Sequence, residues 1–343
     1  MPKQHKPRAG SLQFWPRKRA AKILPSVNWK PLEEKYKSAS GLLGFIGYKV
    51  GMESVIVRDE KQTSLTKGQE LFMPVSIIEL PPQRILSVRL YKGNRLVGEV
   101  FVNPKDYKWL KRKIKLSQKE KTKEELIKEL EEKLATTKAD KLRLLVYTKP
   151  KLIGLKKTPD IAEIALAGSL EQQLNFVKEN IDKDLNPSIK ESLKANAISL
   201  IDVRGVTKGK GFQGPIKRFG IKRKQHKSEK GVRRPGSLGP WNPSRVSFRV
   251  PMAGQLGFFT RIEYNKYLLD FGNIKEKNIN KKDGFLHYGY IDGDFVMLKG
   301  SVIGPAKRSL LLTLPLRPSP QQLKEKYSLV RLNYDVQPTQ TNK

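Results

Sequence analysis

Gly209-Lys210-Gly211-Phe212-Gln213-Gly214 has the glycine spacing of a dinucleotide-binding turn, and it follows a short apolar run, Ile198-Ser199-Leu200-Ile201-Asp202-Val203. That chemistry needs a helix whose N-terminal amides receive a pyrophosphate within a βαβ unit. Pro215 and the basic, glycine-punctuated residues after it predict no such helix. A phosphate loop fails too, because no Gly-Lys-Ser/Thr closes a four-residue spacer after a glycine. No activated nucleophile and no convergent acid and base can be assembled, since the acids concentrate between 117 and 196 and the histidines are dispersed. Neither catalytic residues nor a cofactor are expected.

The chemistry that the residue types do support is neutralisation of phosphate. Between Gly205 and Val250 there are thirteen Lys or Arg and one acid, Glu229, in 46 residues. Such a loop repels itself unless polyanion surrounds it. Its apolar residues, among them Phe212, Phe219, Trp241 and Phe248, follow neither a 3.6 nor a 2.0 period, so no core-forming element is predicted and the segment is expected to order on a partner. Glycines allow close approach of backbone to phosphate, and Pro215, Pro235, Pro240 and Pro243 reduce the entropy lost on fixing an extended arm. Trp241, in Gly239-Pro240-Trp241-Asn242-Pro243, lacks the apolar flanks of a core tryptophan and is read as a ring for a base or ribose.

The whole chain carries 68 basic against 33 acidic residues in 343, a net charge of +35, which makes nucleic acid the expected partner. The apolar runs are too short to span a bilayer, and the N-terminus reads as a basic arm broken by prolines rather than a signal segment, so a soluble, intracellular protein with no membrane partner is expected. With no cysteine there is no disulfide and no thiolate zinc site. His5, His226 and His287 are too few and too scattered for a metal cluster, and each is read as solvated or RNA-facing.

The elements that must position this loop are mainly β. Residues 1–40 form a basic extension with ten Lys or Arg and two acids, in which Phe14, Trp15, Trp29 and Tyr36 are interleaved as for an arm laid on RNA. Strands are predicted at 44–48, 54–58, 72–80, 84–91 and 95–102, with a turn at Lys92-Gly93-Asn94, and residues 41–104 are taken as the first part of a small barrel. Residues 105–196 read as an α+β insertion, nearly neutral from 117 onward. It holds a helix after the Thr122-Lys123-Glu124-Glu125 capping box with Leu126, Leu130 and Leu134 on one face, strands at 142–148 and 161–167, and a helix at 169–180 marked by Leu170, Leu174 and Val177. Residues 197–316 return to β, with strands at 260–264, 267–271, 286–290, 295–302 and 309–314, and contain the basic central loop 205–258. The tail, 317–343, is expected to be peripheral.

Four separated blocks then carry a specific resemblance. Val206 to Gly214 with Arg218, Gly239 to Val246, Met252-Ala253-Gly254-Gln255-Leu256-Gly257, and Leu298 to Pro305 resemble the universal large-subunit ribosomal protein three (L-three) family, as do Leu43 to Met52 and Pro16-Arg17-Lys18-Arg19-Ala20. The N-terminal arm and large insertion resemble its archaeal and eukaryotic branch, and the length is more similar to that of archaeal members. The resemblance implies a translation-protein-type β-barrel with long basic extensions, seated on large-subunit rRNA near its 3′ end. It also implies a structural role in the subunit and its assembly, cytoplasmic location, neighbouring ribosomal proteins as partners and no small-molecule substrate. The central loop would approach the peptidyl transferase centre with Trp241 near its tip. Candidate rRNA-binding residues are Arg17, Lys18, Arg19, Lys208, Lys210, Lys217, Arg218, Arg223, Lys224, Arg233, Arg234, Trp241, Arg245, Arg249 and Gln255. Two other classes stay open: a free-standing RNA-binding assembly or translation factor, and an RNA-modifying enzyme, which would need a cofactor pocket that the sequence does not reveal.

Overall fold

A computed structural model describes residues 10–102, 107–115, 121–228 and 230–334. The readings made for His5, Glu229 and the outermost parts of the extension and tail lie outside the described residues. Along the chain come α1 (Lys30–Lys35), β1 (Gly44–Asp59), β2 (Glu70–Leu80), β3 (Gln83–Lys92), β4 (Arg95–Phe101), α2 (Tyr107–Leu110) and α3 (Lys123–Thr137). Next are β5 (Lys141–Thr148), β6 (Ile161–Ala165), α4 (Leu170–Asn180), α5 (Asn186–Ala195), β7 (Leu200–Val206), β8 (Phe212–Gln213), α6 (Pro215–Phe219) and β9 (Gly254–Gln255). β10 (Thr260–Asn273), β11 (Asp294–Lys299), β12 (Ser309–Thr313), α7 (Pro320–Leu323) and β13 (Tyr327–Leu332) complete it. The chain is mostly β-sheet with few helices. Its contacts divide it into two units, one of residues up to Lys22 with Val206–Arg261, the other of Ile23–Gly205 with Ile262–Lys343.

In the larger unit the main sheet runs β12-β7-β10-β11-β2-β1-β13, and β1 also pairs with β12. The order therefore returns to its first strand after six. β1 manages both pairings by its length: Gly44–Tyr48 pair with Thr313–Ser309, and Val55–Asp59 pair with Leu332–Tyr327 of β13. Gly47 lies where the strands crowd, since a Cβ there would meet Ile78 Cγ2 at 2.5 Å and Leu312 Cδ1 at 3.0 Å. The enclosed side chains include Phe45, Ile46, Ile78, Leu80, Ile201, Val203, Val296, Leu298, Leu310 and Leu312. Burial of such side chains, at about 25 cal/mol per Å² of apolar surface, is the principal stabilising term.

The second sheet, β4-β3-β5-β6, is antiparallel throughout. Its apolar face is covered by α3 and α4; the Thr122 capping box forms as the sequence predicts, and a second box closes the start of α4. Thr122 Oγ1 accepts from the Glu125 amide, Ser169 Oγ accepts from the Gln172 amide, and each N3 side chain returns the bond. Leu126, Leu130 and Val177 are buried in the same continuous core as the main sheet.

Several expectations are corrected. β3 and β4 do not continue the first sheet but belong to the second. Pro81 and Pro82 follow β2 directly and offer no N–H to a ladder, so pairing stops there. Gln83 then takes over: its amide accepts from Ile46 N and donates to Ile46 O, both at 3.0 Å, which completes the edge of β1 with a side chain. Predicted strands 44–48 and 54–58 are one strand, as are 260–264 and 267–271, the latter pair joined through Asn265 at φ +56°. Residues 286–290 form a turn in which Phe285 N donates to Gly289 O at 2.8 Å. The tail supplies β13, and α5 was not anticipated. Trp29, read as part of an RNA-laid arm, is only 2% exposed and packs in the core, while Tyr36 donates its hydroxyl to Pro315 O at 3.0 Å. A basic, proline-broken context hid the apolar role of both rings.

Asp202 of β7 is a buried acid that ties three segments together. Its Oδ1 accepts the Asn265 amide at 2.8 Å and its Oδ2 accepts the Leu316 amide at 3.0 Å. Burial pushes its carboxyl up, opposed by those amides and by nearby Arg204 and Lys35. Asp202→Ala leaves both amides without acceptors and is expected to lower stability by roughly 1–3 kcal/mol, read as a reduced urea midpoint by circular dichroism. The folded carboxyl holds its proton more tightly than the unfolded one. This group's contribution therefore falls as pH rises from the unfolded to the raised folded value, and Asp202→Asn should remove that slope.

Candidate nucleic-acid interface

The central loop is a hydrogen-bonded stalk that carries an open tip. Thr207 N donates to Phe259 O at 3.0 Å, Phe258 N to Lys208 O at 3.2 Å, Lys210 N to Leu256 O at 2.9 Å and Leu256 N to Gly211 O at 2.9 Å. β8 and β9 extend the pairing, Phe212 opposite Gln255 and Gln213 opposite Gly254. Gly257 makes this possible: at φ +71° its α-carbon stands so close to Lys208 that a Cβ would lie 2.0 Å from the Lys208 carbonyl oxygen. The N-terminal extension joins the same unit through Ala20 N, which donates to Phe258 O at 2.9 Å.

Beyond β8 the chain does form a helix, contrary to expectation, but α6 is only five residues long and ends at Gly220 in the left-handed region. It buries Phe219, and with no βαβ unit around it the dinucleotide reading remains unsupported. Phe219 is the hub of an aromatic and cationic cluster. Trp15 packs 6.5 Å from it and 5.5 Å from Phe248, centroid to centroid, and the Arg17 guanidinium lies 4.4 Å from the Phe219 ring centre.

All fifteen candidate residues fall within this one unit, although Arg17, Lys18 and Arg19 are far from the others in sequence. Lys18, Arg19, Lys208, Lys210, Lys217, Arg223, Arg233, Arg234, Arg245 and Arg249 are exposed, and Lys224 is half-buried. Trp241 is 92% exposed, and with Leu238, Pro240, Arg245 and Val246 it lines an open concavity of about 320 Å³ at the tip. Two candidates face inward instead. Arg218 donates from Nε to Gln255 O at 3.0 Å and from Nη1 to Met252 O at 2.9 Å, and burial pushes its guanidinium down. Gln255 Nε2 donates to Gly257 O at 2.9 Å. Both side chains hold the loop's own backbone, and so shape the presentation of the outward cations.

Sequence reasoning missed Arg261. Its guanidinium sits 4.2 Å from the Phe14 ring centre and 5.1 Å from that of Phe259, and burial lowers its pKa. Only the fold brings positions 14 and 261 together, so no local pattern signals the stack. Lys222, Lys227 and Lys230 are further exposed cations whose signal, the charge run itself, was present. No acid stands among the described residues of the loop, whereas in the other unit several arginines and lysines are paired with acids. There Arg143 bonds Glu33 at 2.6 Å and Glu163 at 3.1 Å, and Arg89 bonds Glu163 at 2.7 Å and Glu99 at 3.0 Å. Unopposed cations beside exposed rings can bind phosphate and stack bases. Among the described residues no group of three His, Cys, Asp or Glu could hold a metal, and no helix is long and apolar enough to cross a membrane.

Comparison with known proteins gives this arrangement a context. The sequence profile described as ribosomal protein L3 matches residues 1–335. The large ribosomal subunit protein uL3 of Archaeoglobus fulgidus is 42% identical over 324 residues, 92% of this chain and 93% of that protein. Its counterpart in Methanocaldococcus jannaschii is 43% identical over 329 residues, 93% and 94% of the two chains. That of Methanococcus vannielii is 40% identical over 342 residues, 97% and 96%.

The stalk geometry yields a sharp contrast between two glycines. Gly257→Ala is expected to abolish amide-exchange protection at Lys210, Leu256 and Phe258 in the RNA-free protein. Gly209→Ala, whose Cβ would meet nothing closer than Phe258 Cβ at 3.6 Å, should preserve it. In the unsubstituted protein, protection should extend through the stalk and be weak over 233–250, where backbone hydrogen bonds are few.

Proposed function

The chain belongs to the ribosomal protein L3 family, and from that premise we propose that it is a structural component of the large ribosomal subunit that binds the subunit's rRNA near its 3′ end, supports assembly and extends its basic loop toward the peptidyl transferase centre. The observation that carries the reading is the loop itself. A stalk locked by its own backbone bonds presents a tip on which arginines and the nearly naked Trp241 ring have no protein core to join. The exposed lysines and arginines neutralise phosphates between packed RNA helices, and each contact contributes somewhat less than one unit to the salt dependence of binding, about 0.7–0.9 on the scale of simple nucleic acids. The Trp241 ring offers a stacking surface at the far end.

The larger unit acts as the anchor. Its returning six-strand order supports the reading of a translation-protein-type β-barrel, because a sheet closed on itself presents few free edges and forms a rigid base for extensions. Its partners are rRNA and adjoining ribosomal proteins, and its role is structural, in the cytoplasmic ribosome.

Sedimentation of a cell lysate through a high-salt gradient tests the assignment. One copy of the chain per large subunit is expected. Release to the top of the gradient, or presence only on immature particles, would instead identify an exchanging RNA-binding factor. For the tip, Trp241→Ala should leave subunit yield near normal while altering translation rate and sensitivity to inhibitors of the catalytic centre; unchanged rate and drug response would remove Trp241 from that role.

A further inference from the structure

We propose that a cleft centred on Trp109, in the larger unit, is a second RNA site that takes one unpaired nucleotide of the same rRNA, its base on the indole and its phosphates on the surrounding cations. The inference rests on the ribosomal reading above but concerns residues remote in sequence from the central loop. The cleft holds about 500 Å³, within the range of about 300–1,000 Å³ usual for small-ligand sites and large enough for a nucleotide. Its wall joins the basic segment around Trp109, which precedes the near-neutral part of the insertion, to residues 147–159 of that near-neutral part.

Local structure positions the ring. Leu110 is buried against Leu86 and Tyr147, and Ile114, one helical turn on, packs on the same cluster. Lys113 Nζ donates to Pro159 O at 3.1 Å and lies 3.6 Å from Asp160 Oδ1. With that face fixed inward, Trp109 is left half-exposed as part of the cleft wall. Around its ring centre stand Lys108 Nζ at 5.9 Å, Arg112 Cζ at 5.7 Å and Lys151 Nζ at 5.8 Å. None of these three has a carboxylate partner among the described residues, unlike Lys113, Lys141, Arg143 and Lys156 nearby in the insertion. Lys157 adds another exposed positive charge to the lining.

Among the described residues, the one acid that lines the cleft does not oppose an anion. Asp184 Oδ1 lies 2.9 Å from Arg84 Nε and 3.3 Å from Lys149 Nζ, so its charge is already compensated. Three cations around one aromatic ring, in a concave site with surplus positive charge, match a base together with its phosphates. An acidic peptide would satisfy the cations but has no group that requires the indole face. Stacking on such a ring tolerates any base, so the site selects an unpaired nucleotide rather than a sequence.

Ultraviolet crosslinking of native large subunits, followed by mass spectrometry of this chain, tests the proposal. A nucleotide adduct on Trp109 is expected, together with adducts within 206–259. Trp109→Ala should abolish the former and leave the latter. Lys151→Glu, at an exposed position with no acid partner to lose, should reduce the Trp109 adduct severalfold and guards against misfolding as the cause. Adducts on the loop without one at Trp109, or a crosslink from the cleft to an acidic protein segment, would overturn the site while leaving the ribosomal role intact. Absence of the chain from large subunits would overturn the ribosomal role, and the site with it.

Discussion

Pairing of β1 with β12 is the constraint on which the larger unit depends. An open sheet of this length would expose two rows of unpaired backbone groups, each a template for association with other chains. By meeting β12 with its first half and β13 with its second, the long strand β1 returns the main sheet to its starting point. At Gly44 a Cβ would lie 2.7 Å from the Leu312 carbonyl oxygen of β12, and Leu310, Leu311 and Leu312 are beyond reach of solvent. Asp202, Gln83 and Asn186 then satisfy backbone groups that the ladders leave over, Asn186 donating to Leu80 O at 3.1 Å. Buried polar side chains here complete the sheet instead of serving chemistry.

Charge is handled by opposite means in the two units. In the larger unit, Arg89 and Arg143 share Glu33, Glu99 and Glu163, so that a chain of alternating charges holds the second sheet to α1. Among the described residues of the central loop the same residue types stand without acids. The consequence is that the first set stabilises the isolated protein, whereas the second raises its energy until an external polyanion arrives.

The aromatic residues divide along similar lines. Trp29 is a core side chain despite its basic neighbourhood, Trp15 joins Phe219 and Phe248 in a small cluster that holds the N-terminal extension to the loop, and Trp241 meets solvent over almost its whole surface. Arg17 and Arg261 each lie over aromatic rings of the same unit, an arrangement that retains their charge near the surface while their planar groups pack. Three tryptophans in superficially similar basic contexts thus do three different things.

Composition and local pattern alone determined much of this. The charge excess, the capping box at Thr122, the leucine stripes of α3 and α4, the near-neutral insertion and the aperiodic cationic loop are each readable within a few residues, because helix caps, amphipathic spacing and self-repulsion are short-range effects. What tertiary structure decided was everything that depends on partners distant along the chain: that β3 and β4 leave the first sheet, that the tail supplies β13, that Trp29 is buried, that Arg218 and Gln255 turn inward, and that Arg261 meets Phe14. A strand's own residues do not specify which edge it joins, and an arginine's spacing does not say whether its nearest acceptor is a phosphate or a carbonyl. Those choices are made by long-range pairing and by the accounting of every buried backbone group, which only the folded chain completes.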